Sequence, residues 1–451
     1  MKDYTSASAP IGITMDFAKA PPIDFRSHGF GIGGIHPAPP PANVVAATAA
    51  FKPRMVRVFL QEFFSPLPAP GRFDWSLLDA YLQAVADMGG GIMASICFKP
   101  PCLFPAIDED QNTPTDPAAW QALIAACVAR YSLERPWVTH WAILNEVNIG
   151  EWGGCPHHMP DPAQYLDFYA LTAPVIREVF PAAKLGGPSY AGWGEHCEDY
   201  LRAVAVGCRE RGLPLDFLTY NIYEDGPAEQ LRAAQGVADA ARDFGLESYI
   251  TELNIGIGNE PSIQEKAADA TRVAALAGTL IALHAAGVPT GTFHYHLYDQ
   301  TCDPALFAPF FARTRYMAEH WNDIPHRLGL FDQRGLPRPA YTLYQWLYDL
   351  PADGIGLDID GEALGVAARD GAGATLLLTN PTDGDLLAHV RWADGPAGFG
   401  RLTVDRIVGQ TISRTEDRTT YAHNDFHFDL YLPAGSLTRV AWTPDKGLEQ
   451  P

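Results

Sequence analysis

From about Asp24 to Tyr348, short apolar runs of strand length alternate with longer segments whose apolar positions recur at i, i+3 and i+4. Apolar runs bounded by turn residues read as strands buried on both faces, and their alternation with helical patterns is that of βα units in a parallel sheet. The runs are Gly29–Ile35, Met55–Leu60, Gly91–Phe98, Thr139–Leu144, Ala183–Gly187, Phe217–Tyr223, Ser248–Thr251 and Gly291–Tyr295. Eight strands are what a closed (β/α)8 TIM barrel requires. Helical spacing is clearest over Asp74–Met88, where Trp75, Leu77, Leu78, Tyr81, Leu82 and Val85 recur at i, i+3 and i+4, and over Pro117–Tyr131.

After Pro351-Ala-Asp-Gly354 the period shortens to two. The runs Gly365–Ala368, Thr375–Thr379, Ala388–Trp392, Thr403–Val408, Phe426–Leu432 and Leu437–Trp442 are separated by Asp, Gly and Pro turns. That rhythm predicts an accessory C-terminal antiparallel β-sandwich. The early segment Gly12–Phe17 reads as one more strand of that sandwich. The expected layout is an N-terminal segment 1–23 lending a strand, a barrel over 24–350 and a sandwich over 351–451. The short connection after Tyr348 predicts a sandwich fixed against the barrel rather than a module on a flexible tether.

Composition supports this count, because a chain of 451 residues exceeds the roughly 250 of a typical barrel. With 47% hydrophobic and 19% charged residues it can bury a large core. The net charge of −21, with no Lys/Arg run, argues against nucleic acid and anionic membrane partners. Seven scattered cysteines, lacking paired spacings, read as free thiols. The first ten residues have no apolar core of a signal peptide, so the expectation is a soluble, cytoplasmic protein, with homo-oligomerisation left open.

The candidate chemistry sits at two strand ends. Glu146, in Trp141-Ala-Ile-Leu-Asn-Glu-Val-Asn148, and Glu252, in Tyr249-Ile-Thr-Glu-Leu-Asn254, each close an apolar run, and strand C-termini of a barrel gather on one face. Cleaving a glycosidic bond with retention needs one carboxylic acid to protonate the leaving oxygen and one carboxylate to attack the anomeric carbon, about 5 to 5.5 Å apart. Glu146 reads as the acid/base and Glu252 as the nucleophile. A single Glu at a strand end reads first as an ion-pair or capping residue; the pair, with its neighbours, reverses that preference toward catalysis. Asn145 places an amide beside the acid for a sugar 2-hydroxyl, Tyr223 closes the preceding strand where its phenol can donate to the nucleophile, and Arg57 can brace the nucleophile electrostatically. Trp152, Phe98, Trp193 and Tyr298 are candidate stacking walls, with Trp152 foremost. The His-rich stretches Cys155–His158 and Phe293–His296 lack a third ligand at metal spacing, so no metal and no cofactor are expected; His296 is a candidate sugar contact.

These motifs resemble the clan A glycoside hydrolases, and most closely family 39, the β-xylosidase and α-L-iduronidase family, over nearly the whole chain. Leu144-Asn-Glu-Val-Asn148 is similar to the family's WNEPN-like close of the fourth strand, and Thr251-Glu-Leu-Asn254 to its nucleophile motif on the seventh. Arg57 in Val56-Arg-Val58, Gly71-Arg-Phe-Asp-Trp75, Phe98-Lys-Pro100, Leu185-Gly-Gly-Pro188, Gly329-Leu-Phe331 and Pro337-Arg-Pro-Ala-Tyr341 add to it. The departures fall where a xylosidase grips its sugar: Phe59 and Asn221 replace histidines, Tyr295 replaces a tryptophan, and Cys302 and Asp303 stand where a Glu pair is common. The resemblance implies a retaining, exo-acting glycosidase for a xylose-like or related neutral glycone, with Asn221, Tyr295 and Asp303 joining the substrate contacts. An endo-acting or transglycosylating relative, a non-catalytic carbohydrate-binding barrel and a metal-dependent barrel hydrolase are the rival readings.

Overall fold

Eight parallel strands close a barrel in sequence order: β2 (His28–Gly31), β3 (Met55–Gln61), β4 (Gly91–Cys97), β5 (Val138–Ile143), β6 (Lys184–Ala191), β7 (Phe217–Ile222), β8 (Glu247–Leu253) and β9 (Gly291–Tyr295). The computed structural model describes residues 10–256, 271–323 and 328–445. β9 pairs back onto β2, with Tyr295 opposite Gly31. Helices pack outside, among them Ser76–Ala86 and Pro117–Val128, the latter capped by Asp116, whose side chain accepts from the Ala119 amide at 3.0 Å.

Strand residues alternate between the helices and the barrel interior, so period two builds the interior in layers. Met93, Ala142, Phe217, Tyr249 and Phe293 fill one apolar layer. Phe59, Cys97 and Tyr295 form another, toward the strand C-termini. Arg57 lies on β3 between Met55 and Phe59, and its alternate-position neighbours put a charged residue inside the cylinder. The polar layer around it carries the site.

The remaining strands form one nine-stranded, mostly antiparallel sheet. They are β1 (Ile11–Asp16), β10 (Gly354–Asp360), β11 (Leu364–Asp370), β12 (Gly373–Asn380), β13 (Leu386–Ala393), β14 (Gly398–Val408), β15 (Thr411–Ala422), β16 (His427–Leu432) and β17 (Ser436–Pro444), in the order β15-β14-β17-β12-β11-β10-β1-β13-β16. Trp392 on β13 meets Trp442 on β17 edge to face at 5.7 Å. Those strands stand far apart in the order, so the sheet folds over on itself and encloses a second core as a sandwich. The expected all-antiparallel pairing needs one correction: β1 runs parallel to β13 and antiparallel to β10. A strand arriving from before the barrel has its direction set by where that barrel starts, not by a hairpin.

The two units share apolar packing. Leu377, Ile407 and Leu437 of the sandwich belong to the same buried cluster as the barrel helices, and Thr379 donates its hydroxyl to the Ala274 carbonyl at 2.7 Å. Gly278, on the helix Thr271–Ala286, allows this approach: a Cβ there would lie 2.9 Å from Pro227 Cγ and 3.1 Å from Leu364 Cδ1. Among the described residues no helix is long and apolar enough to cross a membrane.

Candidate active site

The polar layer is organised by Arg57, whose side chain is fully buried. One guanidinium nitrogen, Nη1, donates to Glu252 Oε1 at 2.9 Å and to the Thr251 carbonyl at 3.2 Å. The other, Nη2, donates to Asn145 Oδ1 at 2.7 Å, and Nε donates to Ser95 Oγ at 3.1 Å. A buried guanidinium needs nearly all its donors matched, and here its fork ties together strands β3, β4 and β8 and the segment after β5. Phe59 covers it from one side, with Arg57 Cζ 4.1 Å from the ring centroid.

Glu252 reaches the interior through a bulge. The β7–β8 pairing steps from Tyr220 opposite Ile250 to Asn221 opposite Glu252, leaving Thr251 unpaired with a partner residue. A bulge lets two successive side chains turn the same way. Thr251 donates to Asn221 Oδ1 at 2.7 Å, and Glu252 accepts from Arg57 and, at 2.5 Å, from the Tyr223 hydroxyl. Burial and the neighbouring Glu252 charge raise the Tyr223 phenol well above its usual value, so it remains a donor.

Glu146 arrives differently. The chain leaves β5 with Leu144 at φ 67° and Glu146 at φ 46°, both in the left-handed region that non-glycine residues seldom occupy. The Glu146 amide donates to the Ser189 carbonyl at 2.9 Å, and the Glu146 carbonyl accepts from Gly150 at 2.9 Å. Asn221 Nδ2 donates to Glu146 Oε1 at 2.8 Å and contacts Asn145 Oδ1 at 3.3 Å. Gly153 makes room for the carboxyl, since a Cβ there would lie 2.1 Å from Glu146 Oε2. Burial, then the Glu252 charge, holds the Glu146 carboxyl well above the ordinary range, opposed by the Asn221 hydrogen bond and by Arg57.

Both carboxyl groups line one cavity of about 520 Å³. Its lining includes the expected Asn221, Tyr223, Trp152, Trp193 and Tyr295. Asn145 and Arg57 lie behind the carboxylates, their polar atoms spent on the network. Four expected contacts are not brought there. Phe98 is fully buried in the barrel's main apolar cluster. Asp303 is exposed, and its side chain caps a short helix by accepting from the Ala305 amide at 2.9 Å. His296, one residue past the end of β9, is buried against Tyr295 and Trp321 and bonded to Asp299 Oδ1 at 3.1 Å. Tyr298 is likewise buried, accepting from Gln300.

Sequence reasoning missed Gln61, Glu224, Tyr316 and Trp321, which also line the cavity. Gln61 could be found by carrying the β3 parity of Arg57 and Phe59 one step further. Tyr316 and Trp321 lie in the long segment after β9, where no periodic signal marks which side chains turn inward. Of the histidines, His157 bonds the Phe98 carbonyl and Asn112, and His158 bonds Asp110. All seven cysteines are free thiols.

Fold and site together define a (β/α)8 barrel with a paired carboxylate centre at its strand C-termini and a folded-over sheet attached. No protein-family model matches the chain. Among solved structures, the GH39 enzyme from Xanthomonas axonopodis pv. citri shares the fold with a TM-score of 0.75, covering 98% of this chain and 99% of that one at 18% identity. A monomeric β-xylosidase from Caulobacter crescentus CB15 gives 0.72 over 96% and 99% at 17% identity. A glucosidase from Croceicoccus marinus gives 0.68 over 97% and 100% at 16% identity. The likeness to these structures is one of fold and runs over nearly the whole chain.

Proposed function

We propose that the protein is a retaining glycoside hydrolase, acting by double displacement at the end of an oligosaccharide or glycoside. The observation that carries this reading is the unequal treatment of two carboxyl groups in one cavity. Glu252 accepts from a guanidinium and a phenol, whereas Glu146 is buried with an amide donor and is held protonated to higher pH.

In the first step the Glu252 carboxylate attacks the anomeric carbon while Glu146 gives its proton to the departing glycosidic oxygen. In the second, Glu146, now a carboxylate, takes a proton from water, whose oxygen displaces Glu252 and returns it as a carboxylate. Tyr223 and Arg57 orient the nucleophile throughout. The named activities of the xylosidase and glucosidase that share the fold agree with this class.

The glycone we propose is a neutral, xylose-like sugar. Among the described lining residues three are carboxylates, Glu146, Glu224 and Glu252, and none is Lys or Arg, so a uronate would find no cation to meet it. Phe59 in place of a hydrogen-bonding residue removes one polar grip, worth ~1 to 3 kcal/mol when a hydroxyl is left unpaired. The test is a panel of aryl glycosides (β-xyloside, β-glucoside, β-galactoside, α-L-arabinoside, α-L-iduronide) with wild type beside Glu252→Gln. Turnover of one neutral glycone, abolished in the variant, is expected. Undiminished turnover by the variant would overturn the nucleophile assignment, and preference for the iduronide would overturn the neutral glycone.

A further inference from the structure

The cavity has two unlike sides. Around Glu252 the aromatic walls are buried, with Phe59 4% and Tyr295 5% exposed. The two tryptophans of the lining are open: Trp152, next to the Gly153 against which the Glu146 carboxyl packs, is 51% exposed, and Trp193 is 36% exposed. Large exposed indoles are uncommon on a folded surface, and two of them line this one cavity.

Neither indole is loose. Trp193 donates its Nε1–H to Glu224 Oε1. Trp152 has the Arg313 guanidinium 4.6 Å from its ring centroid and the Tyr316 ring edge-on at 4.6 Å. Arg313 is itself fixed, because Nη2 donates to Glu109 Oε1 at 3.0 Å and its backbone amide donates to Glu151 Oε2 at 2.8 Å. Glu151 is almost wholly buried; its other oxygen accepts from Ala312 N at 2.9 Å, and its own amide donates to Glu109 Oε2 at 2.7 Å. Two carboxylates therefore knot together the segments that follow β4, β5 and β9. The knot lies immediately before Trp152, and Gly153, the next residue, is the one against which the Glu146 carboxyl packs. Burying the Glu151 carboxylate and tying three loops together around a half-exposed indole is costly unless that indole has a ligand.

We propose that Trp152 and Trp193 form the leaving-group subsite and take a second sugar ring by stacking on its apolar face, so that the substrate is an oligosaccharide rather than a glycoside of a small alcohol. This rests on the glycosidase reading, under which Glu146 protonates the leaving oxygen and so marks the leaving-group side. Glu109, Glu151 and Arg313 are positioning residues acting through Trp152. A flat, preorganised aromatic surface holds a ring at little entropic cost.

The experiment compares wild type, Trp152→Ala, Trp152→Phe and Trp193→Ala on the disaccharide of the sugar that the aryl panel identifies (xylobiose, where it is xylose). The inhibition constant of the free monosaccharide reads the glycone side alone. Each Ala variant is expected to lose about tenfold or more in disaccharide kcat/KM while monosaccharide inhibition stays within about twofold, and Trp152→Phe is expected to recover most of the loss. Parallel losses in both measurements would overturn the subsite in favour of a scaffolding role, as would unchanged disaccharide turnover or a loss confined to aryl glycosides. Failure of the underlying reading shows separately, as a wild type inert on every glycoside offered.

Discussion

At the scale of single residues the site depends on how Glu252 and Glu146 are kept different. Tyr223 supplies one of the two side-chain donors to Glu252, so Tyr223→Phe removes a charge-assisted hydrogen bond while leaving the ring in place. Bonds of that kind contribute about 1.5 to 3 kcal/mol, and kcat should fall roughly 10- to 100-fold with KM little changed in steady-state assays on the preferred aryl glycoside. Glu146 sets the pH dependence. It must be protonated to deliver the first proton, so kcat/KM should fall on the alkaline side as pH rises through its elevated pKa. Because the Glu252 charge helps raise that pKa, Glu252→Gln should lower it, a shift readable by titrating the Glu146 carboxyl with carbon-13 NMR. An unmoved titration would mean the two groups do not sense each other. Glu146, Glu252, Tyr223 and Arg57 were legible in the sequence because strand ends in a barrel converge whatever lies between them. Phe98, His296 and Asp303 were misplaced because each stands at or past the end of a strand, where the alternation that decides inside from outside is no longer in force.

Elements were legible to the extent that burial leaves a period. All eight barrel strands are found within a few residues of the expected runs, whereas β15 escaped notice because Thr411–Ala422 is exposed on both faces along most of its length and carries no apolar alternation. β8 was read as ending at Thr251; it continues to Leu253, and the bulge that aims Glu252 inward has no signature in hydropathy. The turn after β3 shows what such ends can bury. Glu62, in the short helical turn Glu62–Phe64, is 4% exposed and accepts from the Lys99 amide at 3.0 Å, and burial pushes its carboxyl from 4.5 up to about 8. A carboxyl raised on folding contributes stability that is whole below the unfolded value and is lost as pH climbs toward the folded one. Between about pH 4.5 and 8 the loss is on the order of 1 kcal/mol per pH unit. Glu62→Gln keeps an acceptor for the Lys99 amide and removes the titration. Urea unfolding at pH 5 and pH 8 should therefore show a smaller drop for the variant than for wild type, and equal drops would place the Glu62 proton elsewhere.

At the scale of the molecule the question is whether the sandwich is an independent module or part of the barrel's foundation. The strand β1 precedes the barrel in the chain yet lies between β10 and β13, so the folded-over sheet is completed only when both ends of the chain meet. Leu377 and Leu437 share an apolar cluster with the barrel helices, and Thr379 spends its hydroxyl on the helix Thr271–Ala286. That helix runs from the β8 side of the barrel toward β9, the strand next after the one that carries Glu252. Leu377 is fully buried, so Leu377→Ala opens a cavity between the units and should cost about 2 to 5 kcal/mol. If the interface couples the two, calorimetry should show one transition in wild type, moved as a whole to lower temperature in the variant, with loss of glycosidase activity following the same curve. If the sandwich folds alone, the heat trace of the variant should split, and activity should be lost at the wild-type temperature, since no site residue would feel the change. The shared cluster and the crossing of β1 favour the single, displaced transition.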